Sequence, residues 1–247
     1  METLTGQGAA NTMGALVPDL PKVEQHIVDM TNQVRQEKNL PALKVDAMLS
    51  KAARAFAQSV ANSGKFSHTA DGRTPAQRAE AAGYKHCDIA ENLAMDENAA
   101  GYDTGALALQ AIAGWMNSPP HRANILRASI SEIGVGVARA PGAKPKFISV
   151  ELFGQPAAKS LTFKIRNVAK VAVTYAFGGK SYDLKPGVSV VHTSCSQDQL
   201  VISQPGGIFS SGSEIARITA ENKKLYTLKA GANGAPTLDI ATRSTTP

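Results

Sequence analysis

A chain of 247 residues with 43% hydrophobic content has room for one large domain or two small ones and is too apolar to be disordered. No run approaches the roughly eighteen consecutive apolar residues of a membrane span, so no spanning helix is expected. The net charge of +6 is lopsided: residues 1–159 carry 16 Lys+Arg against 15 Asp+Glu, whereas residues 160–247 carry 10 against 5. The basic second part suits an anionic glycan or lipid surface. Its lysines are scattered and no nucleic-acid motif is present, so a plain basic surface is the simpler reading.

Met1 to Gly14 is small and polar and lacks the basic-then-apolar pattern of a signal peptide. It reads as a processed or truncated start, or as a cytosolic one, and residues 1–20 form an N-terminal tail. Pro21 opens a helix at a position where its missing N–H costs nothing, and Val23, Ile27, Met30 and Val34 follow with helical spacing. Leu40 to Leu43 is a loop. A second helix runs from about Asp46 to Ser63, with Leu49, Ala53, Phe56 and Val60 on one face and Gly64 as its stop. Thr74-Pro75 is a helix start and Gly83 its end. Leu107 to Met116 predicts a fourth helix, anchored by Ile112 and Trp115 and terminated by Pro119-Pro120.

From Glu132 the period changes to alternation: Ile133, Val135 and Val137 point one way, Glu132, Gly134 and Gly136 the other. Lys146 to Phe153 is a further strand. The helical-plus-sheet part ends near Gly154, with Gln155-Pro156-Ala157-Ala158 as a linker, giving domains at 21–156 and 157–247. The second domain reads as about eight short strands: Leu161–Asn167, Lys170–Phe177, Lys180–Leu184, Val188–Thr193, Gln199–Ser203, Glu214–Ala220, Lys224–Lys229 and Thr237–Ala241. Gly178-Gly179 is a two-residue hairpin and Lys185-Pro186-Gly187 a turn. This pattern predicts a small sandwich or barrel. Cys87 and Cys195 lie outside any CxxC frame. A disulfide in an exported protein and two inert thiols are equally compatible with them.

Two histidines and two glutamates stand in distinctive frames: Phe66-Ser67-His68-Thr69, Glu91-Asn92, His121-Arg122-Ala123-Asn124-Ile125-Leu126, and Glu132-Ile133-Gly134-Val135-Gly136. With Leu40–Leu49 and Arg78 followed by Ala82-Gly83-Tyr84, these segments resemble the CAP superfamily (cysteine-rich secretory proteins, antigen 5, pathogenesis-related class 1 and bacterial SCP-like relatives) over residues 21–156. Pro120 departs from the glycine that relatives commonly carry before the histidine. The resemblance implies an α+β chain: a CAP-type α-β-α sandwich, followed here by the small all-β domain. It implies a cleft holding all four residues. His68 and His121 would ligate a divalent metal, zinc among the candidates. Glu91 and Glu132 would act through water or orient the imidazoles. Two neutral nitrogens are fewer than the three protein ligands usual for catalytic zinc, so affinity would be modest. A purely hydrogen-bonded polar cluster is the competing interpretation.

The resemblance also implies an exported, secreted or periplasmic bacterial protein with an unidentified cleft ligand. No common enzymatic activity belongs to the family. A metal-assisted hydrolase with Glu91 or Glu132 as general base is an alternative, as are lipid or sterol binding and an adhesion or scaffold role. No other cofactor is implied. Ser67 and Ser118 lack a nucleophile frame and read as turn and capping residues. Asn92 and Asn124 read as loop-stapling amides, Trp115 as core, and His26, His86 and His192 as solvated or hydrogen-bonded. Gly134 and Gly136 would leave open space beside Glu132 as a cleft floor, with close packing of a helix as the alternative.

Overall fold

The structure, a computed structural model, describes residues 15–206 and 212–242. Of the N-terminal tail, residues 1–14 lie outside the described residues. The chain divides into two compact units: one takes it up to Tyr84 together with Ile89–Gly154, the other takes Lys85–Asp88 together with the chain from Gln155 onward.

In the first unit, helix α1 (Leu20–Glu37) has Asp19 as its cap and Pro21 in its first turn. A short strand β1 (Lys44–Val45) leads to α2 (Ala47–Ser63), where the Asp46 carboxylate accepts the backbone N–H of Met48 and Leu49. Gly64 closes α2 at φ +67°, the left-handed position that favours glycine. Helix α3 (Pro75–Ala81) begins with a capping box between Thr74 and Gln77. Then come β2 (His86–Glu97), α4 (Thr104–Asn117), α5 (Pro119–Ile125), β3 (Glu132–Arg139) and β4 (Lys146–Pro156).

Three of these differ from the sequence expectation. Strand β2 was not anticipated, because His86-Cys87-Asp88-Ile89-Ala90-Glu91 neither alternates nor carries many β-branched residues. Helix α4 starts three residues earlier than predicted, on an Asp103 cap. Pro119 and Pro120 do not merely stop α4. They occupy the first turn of α5, where proline is well tolerated.

The strands form one sheet in the order β1-β3-β4-β2, with β3 and β4 antiparallel and β1 parallel to β3. Each face is covered. One side packs Ile27 of α1, Leu107 and Trp115 of α4 and Ile125 of α5 against Ile133, Val135 and Phe153. The other packs Phe56 and Val60 of α2 and Ala79 of α3 against Ile148, Val150 and Leu152. Alternating side chains of the same strands supply the two cores, which makes an α-β-α sandwich.

Gly134 and Gly136 do not line an open floor. A Cβ on Gly134 would lie 2.2 Å from the backbone of Leu49 and Ser50, and one on Gly136 would lie 2.2 Å from the backbone of Arg54. Helix α2 rests directly on β3, and only hydrogen fits between them. Gly134→Ala or Gly136→Ala should therefore lower stability by about 1–3 kcal/mol, since backbone cannot move aside as a flexible side chain would. Thermal melts of each variant check this.

The second unit is all-β. Its strands are β5 (Leu161–Asn167), β6 (Val173–Phe177), β7 (Lys180–Leu184), β8 (Ser189–Ser194), β9 (Gln199–Gln204), β10 (Ser213–Thr219), β11 (Lys224–Ala230) and β12 (Pro236–Thr242). Each falls within three residues of its predicted span at both ends. They form two four-stranded sheets, β10-β9-β6-β7 and β12-β11-β5-β8, around a core that includes Phe163, Ile165, Tyr175, Ile202, Tyr226 and Leu228. This is the sandwich of the two architectures the sequence allowed. Gly178 and Gly179, at φ +59° and +70°, make the β6–β7 hairpin turn. His192 lies parallel to the Phe163 ring and is 2.7 Å from the Tyr175 hydroxyl through Nε2. The expected linker is not slack chain: β4 runs on to Pro156 and a 3-10 turn follows at Ala157–Lys159.

Cys87 and Cys195 form a disulfide with Cα atoms 5.4 Å apart, closing a sequence separation of 108 residues. That settles the alternative left open by the sequence. A cross-link over so long a loop restricts the unfolded chain strongly, by about 2–5 kcal/mol. Reduction, or Cys195→Ser, should lower the melting temperature accordingly. A single proteolytic cut between Gln155 and Ser160 should leave both pieces joined until reductant is added, which electrophoresis with and without reductant checks.

Candidate functional site

Four segments of the first unit converge on Arg78. This residue is 4% exposed, and its guanidinium carbon lies 3.4 Å from the centre of the Phe56 ring. Its Nη1 donates to Asp71 Oδ1 (2.9 Å) and to the Arg73 carbonyl (2.7 Å). Its Nη2 donates to the His68 carbonyl (3.0 Å) and to Glu91 Oε2 (2.6 Å). The 68–73 loop is thus tied to α3 and β2 through one side chain. The sequence reading noted Arg78 within the family resemblance but gave it no role. A basic residue in a short, capped helix just after the His68 loop was the available signal.

Glu91, 5% exposed on β2, has both oxygens engaged: Oε2 by Arg78 and Oε1 by His68 Nδ1 at 2.8 Å. An ionised carboxylate only accepts, so Nδ1 carries the proton, and in the neutral ring Nε2 is the nitrogen with the lone pair. His121 sits half-buried on α5. Burial, and then the repulsion that His68 would exert with both rings protonated, hold its imidazole below the usual value. The two imidazoles are therefore within electrostatic reach of each other.

Glu132, the first residue of β3, is tied elsewhere. Its Oε2 accepts from the Tyr84 hydroxyl at 2.6 Å. Burial, and then this bond, push the Tyr84 hydroxyl far above its ordinary pKa. Gly154, directly opposite Glu132 in the register, makes room for the tyrosine: a Cβ there would fall 2.4 Å from its hydroxyl oxygen.

Beneath these groups runs a chain of amides. Asn124 Nδ2 donates to the Glu91 carbonyl (3.2 Å) and to Asn92 Oδ1 (3.0 Å). Asn92 Nδ2 donates to the His121 carbonyl and to Glu151 Oε2, each at 3.2 Å. Both asparagines staple α5 to β2, as expected. Glu151, which sequence reasoning missed, is fully buried on β4, with the Thr31 hydroxyl of α1 on its other oxygen. Burial pushes its pKa up to about 8. Only its place as the one ionisable residue of the segment Phe147 to Phe153 marked it in the sequence. Ser67 Oγ accepts the Thr69 N–H, and Ser118 stands at the cap position of α5 without a side-chain cap bond. Trp115 is core at 1% exposure.

The donor set admits a metal only in a limited way. Both Glu91 oxygens are already engaged, one by Arg78 and one by His68. His68 Nε2 and the His121 ring remain, and the Glu91–His68 bond is the kind of carboxylate support that orients a ligating imidazole. Among the described residues no group of three or more His, Cys, Asp or Glu side chains is placed to hold an ion.

Two substitutions probe this framework. Arg78→Met leaves Glu91 buried without its cation and should cost about 3–5 kcal/mol, read from denaturant unfolding. Glu151 has its pKa raised on folding, so its contribution is full below the unfolded value of 4.5 and is lost as pH rises toward about 8. Glu151→Gln keeps a neutral hydrogen-bonding group. It should flatten the fall in stability between pH 5 and 8 and raise stability at pH 7.5 by about 1–3 kcal/mol. Glu151→Leu, which leaves Asn92 and Thr31 unpaired, should destabilise at every pH.

Residues 28–152 match the family described as the cysteine-rich secretory protein family, CAP. The uncharacterised protein YkwD of Bacillus subtilis strain 168 is 30% identical over 127 residues, which is 51% of this chain and 46% of that protein. The chain thus spans about half the length of the curated relative it matches. Among solved structures, an extracellular protein containing an SCP domain from Bacillus anthracis is similar at 26% identity and a TM-score of 0.47, over 57% of this chain and 44% of that one. An outer surface protein of Borrelia burgdorferi is similar at 23% identity and a TM-score of 0.46, over 55% and 93%.

Proposed function

Since the chain belongs to the CAP family, we propose that it is an exported CAP-domain protein whose His68–His121 cleft binds a divalent metal weakly, beside an unidentified ligand. The observation that carries the metal reading is the 2.8 Å bond from His68 Nδ1 to a carboxylate anchored by Arg78. It fixes the tautomer and leaves Nε2 as the ligating nitrogen. The lowered pKa of His121 keeps its ring neutral, and so available, to lower pH. When bound, a divalent ion supplies a Lewis-acidic centre with exchangeable water.

Glu91 then serves as an orienting group. With both oxygens bonded it is poorly disposed to act as general base, which weighs against the hydrolase alternative in the form that relies on it. Export is supported by the Cys87–Cys195 disulfide, which belongs to an oxidising compartment, and by the secretory character named in the family's description.

Zinc titration by calorimetry at pH 5.5 and 7.5 tests the metal reading. Affinity should be clearly weaker at pH 5.5, because protons compete for the imidazoles. It should disappear in the double variant His68→Ala with His121→Ala, whose melting temperature should stay near that of the parent. Equal affinity at the two pH values would remove the histidine assignment. A collapse of the fold in the double variant would favour the purely hydrogen-bonded cluster instead.

A further inference from the structure

Arg78 and Phe56 also border a cavity of about 260 Å³ between α2 and α3. Four alanines line it: Ala52 and Ala55 on α2, Ala81 at the end of α3 and its cap residue Ala82. Their methyl groups are too short to fill the space that leucine or methionine would occupy, so an apolar recess remains. Its volume lies between the roughly 150 Å³ that accepts benzene and the roughly 300–1,000 Å³ of a drug-sized site.

The charges around the recess are unbalanced. The exposed side chains of Lys51 and Arg73 line it, and the Arg73 backbone N–H donates to Asp71 Oδ1 at 3.2 Å. Arg78 also lines it, but its charge is met by Glu91 and Asp71, so the surplus rests on Lys51 and Arg73. The carboxylate in the lining, Asp71, already accepts Arg78 Nη1 through Oδ1. An apolar floor with surplus positive charge favours a ligand with a compact hydrophobic body and one negative end.

We propose that the α2–α3 cavity binds a small monocarboxylate of arylalkanoate size. Lys51 and Arg73 hold its carboxylate, and its apolar body rests on the alanines and Phe56. This site is separate from the imidazole pair and does not depend on the metal reading.

Saturation-transfer NMR and calorimetry with 3-phenylpropionate test it, with 3-phenylpropanol and 2-phenylethylammonium as neutral and cationic counterparts. The acid should bind and both counterparts should bind at least about tenfold more weakly, as expected when the charge is recognised. The double variant Lys51→Glu with Arg73→Glu should weaken the acid by about tenfold or more. Ala55→Trp, which fills the recess from an exposed helix position, should abolish binding. Melting curves confirm that these surface variants fold. The variant lacking His68 and His121 should bind the acid as the parent does, so loss of the metal reading leaves this result standing. Equal binding of acid and alcohol, preference for the ammonium ion, binding that survives Ala55→Trp, or no binding of the acid up to about 10 mM, generous for so small a ligand, would each overturn the assignment.

Discussion

The ion pair between Arg78 and Glu91 is the constraint on which the candidate site rests. Both side chains are withdrawn from water, 3% and 1% exposed, and desolvating two charges costs several kcal/mol unless hydrogen bonds replace the lost water. Here the cost is offset by distributing the guanidinium over two carboxylates and two carbonyls while its flat face covers Phe56. The same arrangement commits Glu91 to a fixed orientation. His68, though itself half-exposed at its side chain, inherits that order through Nδ1.

The amides carry this order across the sheet. Asn92 and Asn124 hold the carbonyls of His121 and Glu91, and Glu151 anchors Asn92 from β4 with Thr31 of α1 on its far side. Three of these groups are buried, Asn92 and Glu151 fully and Thr31 fully as well. A buried network is stabilising only when its members are satisfied. Keeping Glu151 protonated meets that condition more cheaply than ionising it in an apolar strand.

Close backbone packing has the complementary role. Helix α2 lies on β3 because Gly134 and Gly136 offer no Cβ, and Tyr84 reaches Glu132 because Gly154 offers none. The glycines thus set where the helix and the tyrosine sit, and the polar contacts follow. Of the two readings that Gly134 and Gly136 allow in the sequence, an open floor and close helix packing, the structure takes the second: a helix fills that space.

The sequence by itself determined the starts of α1, α2 and α3, the eight strands of the all-β unit and the family frames around His68, Glu91, His121 and Glu132. Those features are local. A cap, a proline in a first turn, a Gly-Gly hairpin and a two-residue alternation act through neighbours in the chain. What only the tertiary structure decided was partnership between distant segments. Strand β2 has little local signal and exists because β4 offers it an edge to pair with. Cys87 finds Cys195 across 108 residues, Arg78 finds Glu91, and Tyr84 rather than an imidazole takes Glu132. Burial and charge compensation make those choices. Both depend on which surfaces the folded chain brings together, a property that no window of sequence contains.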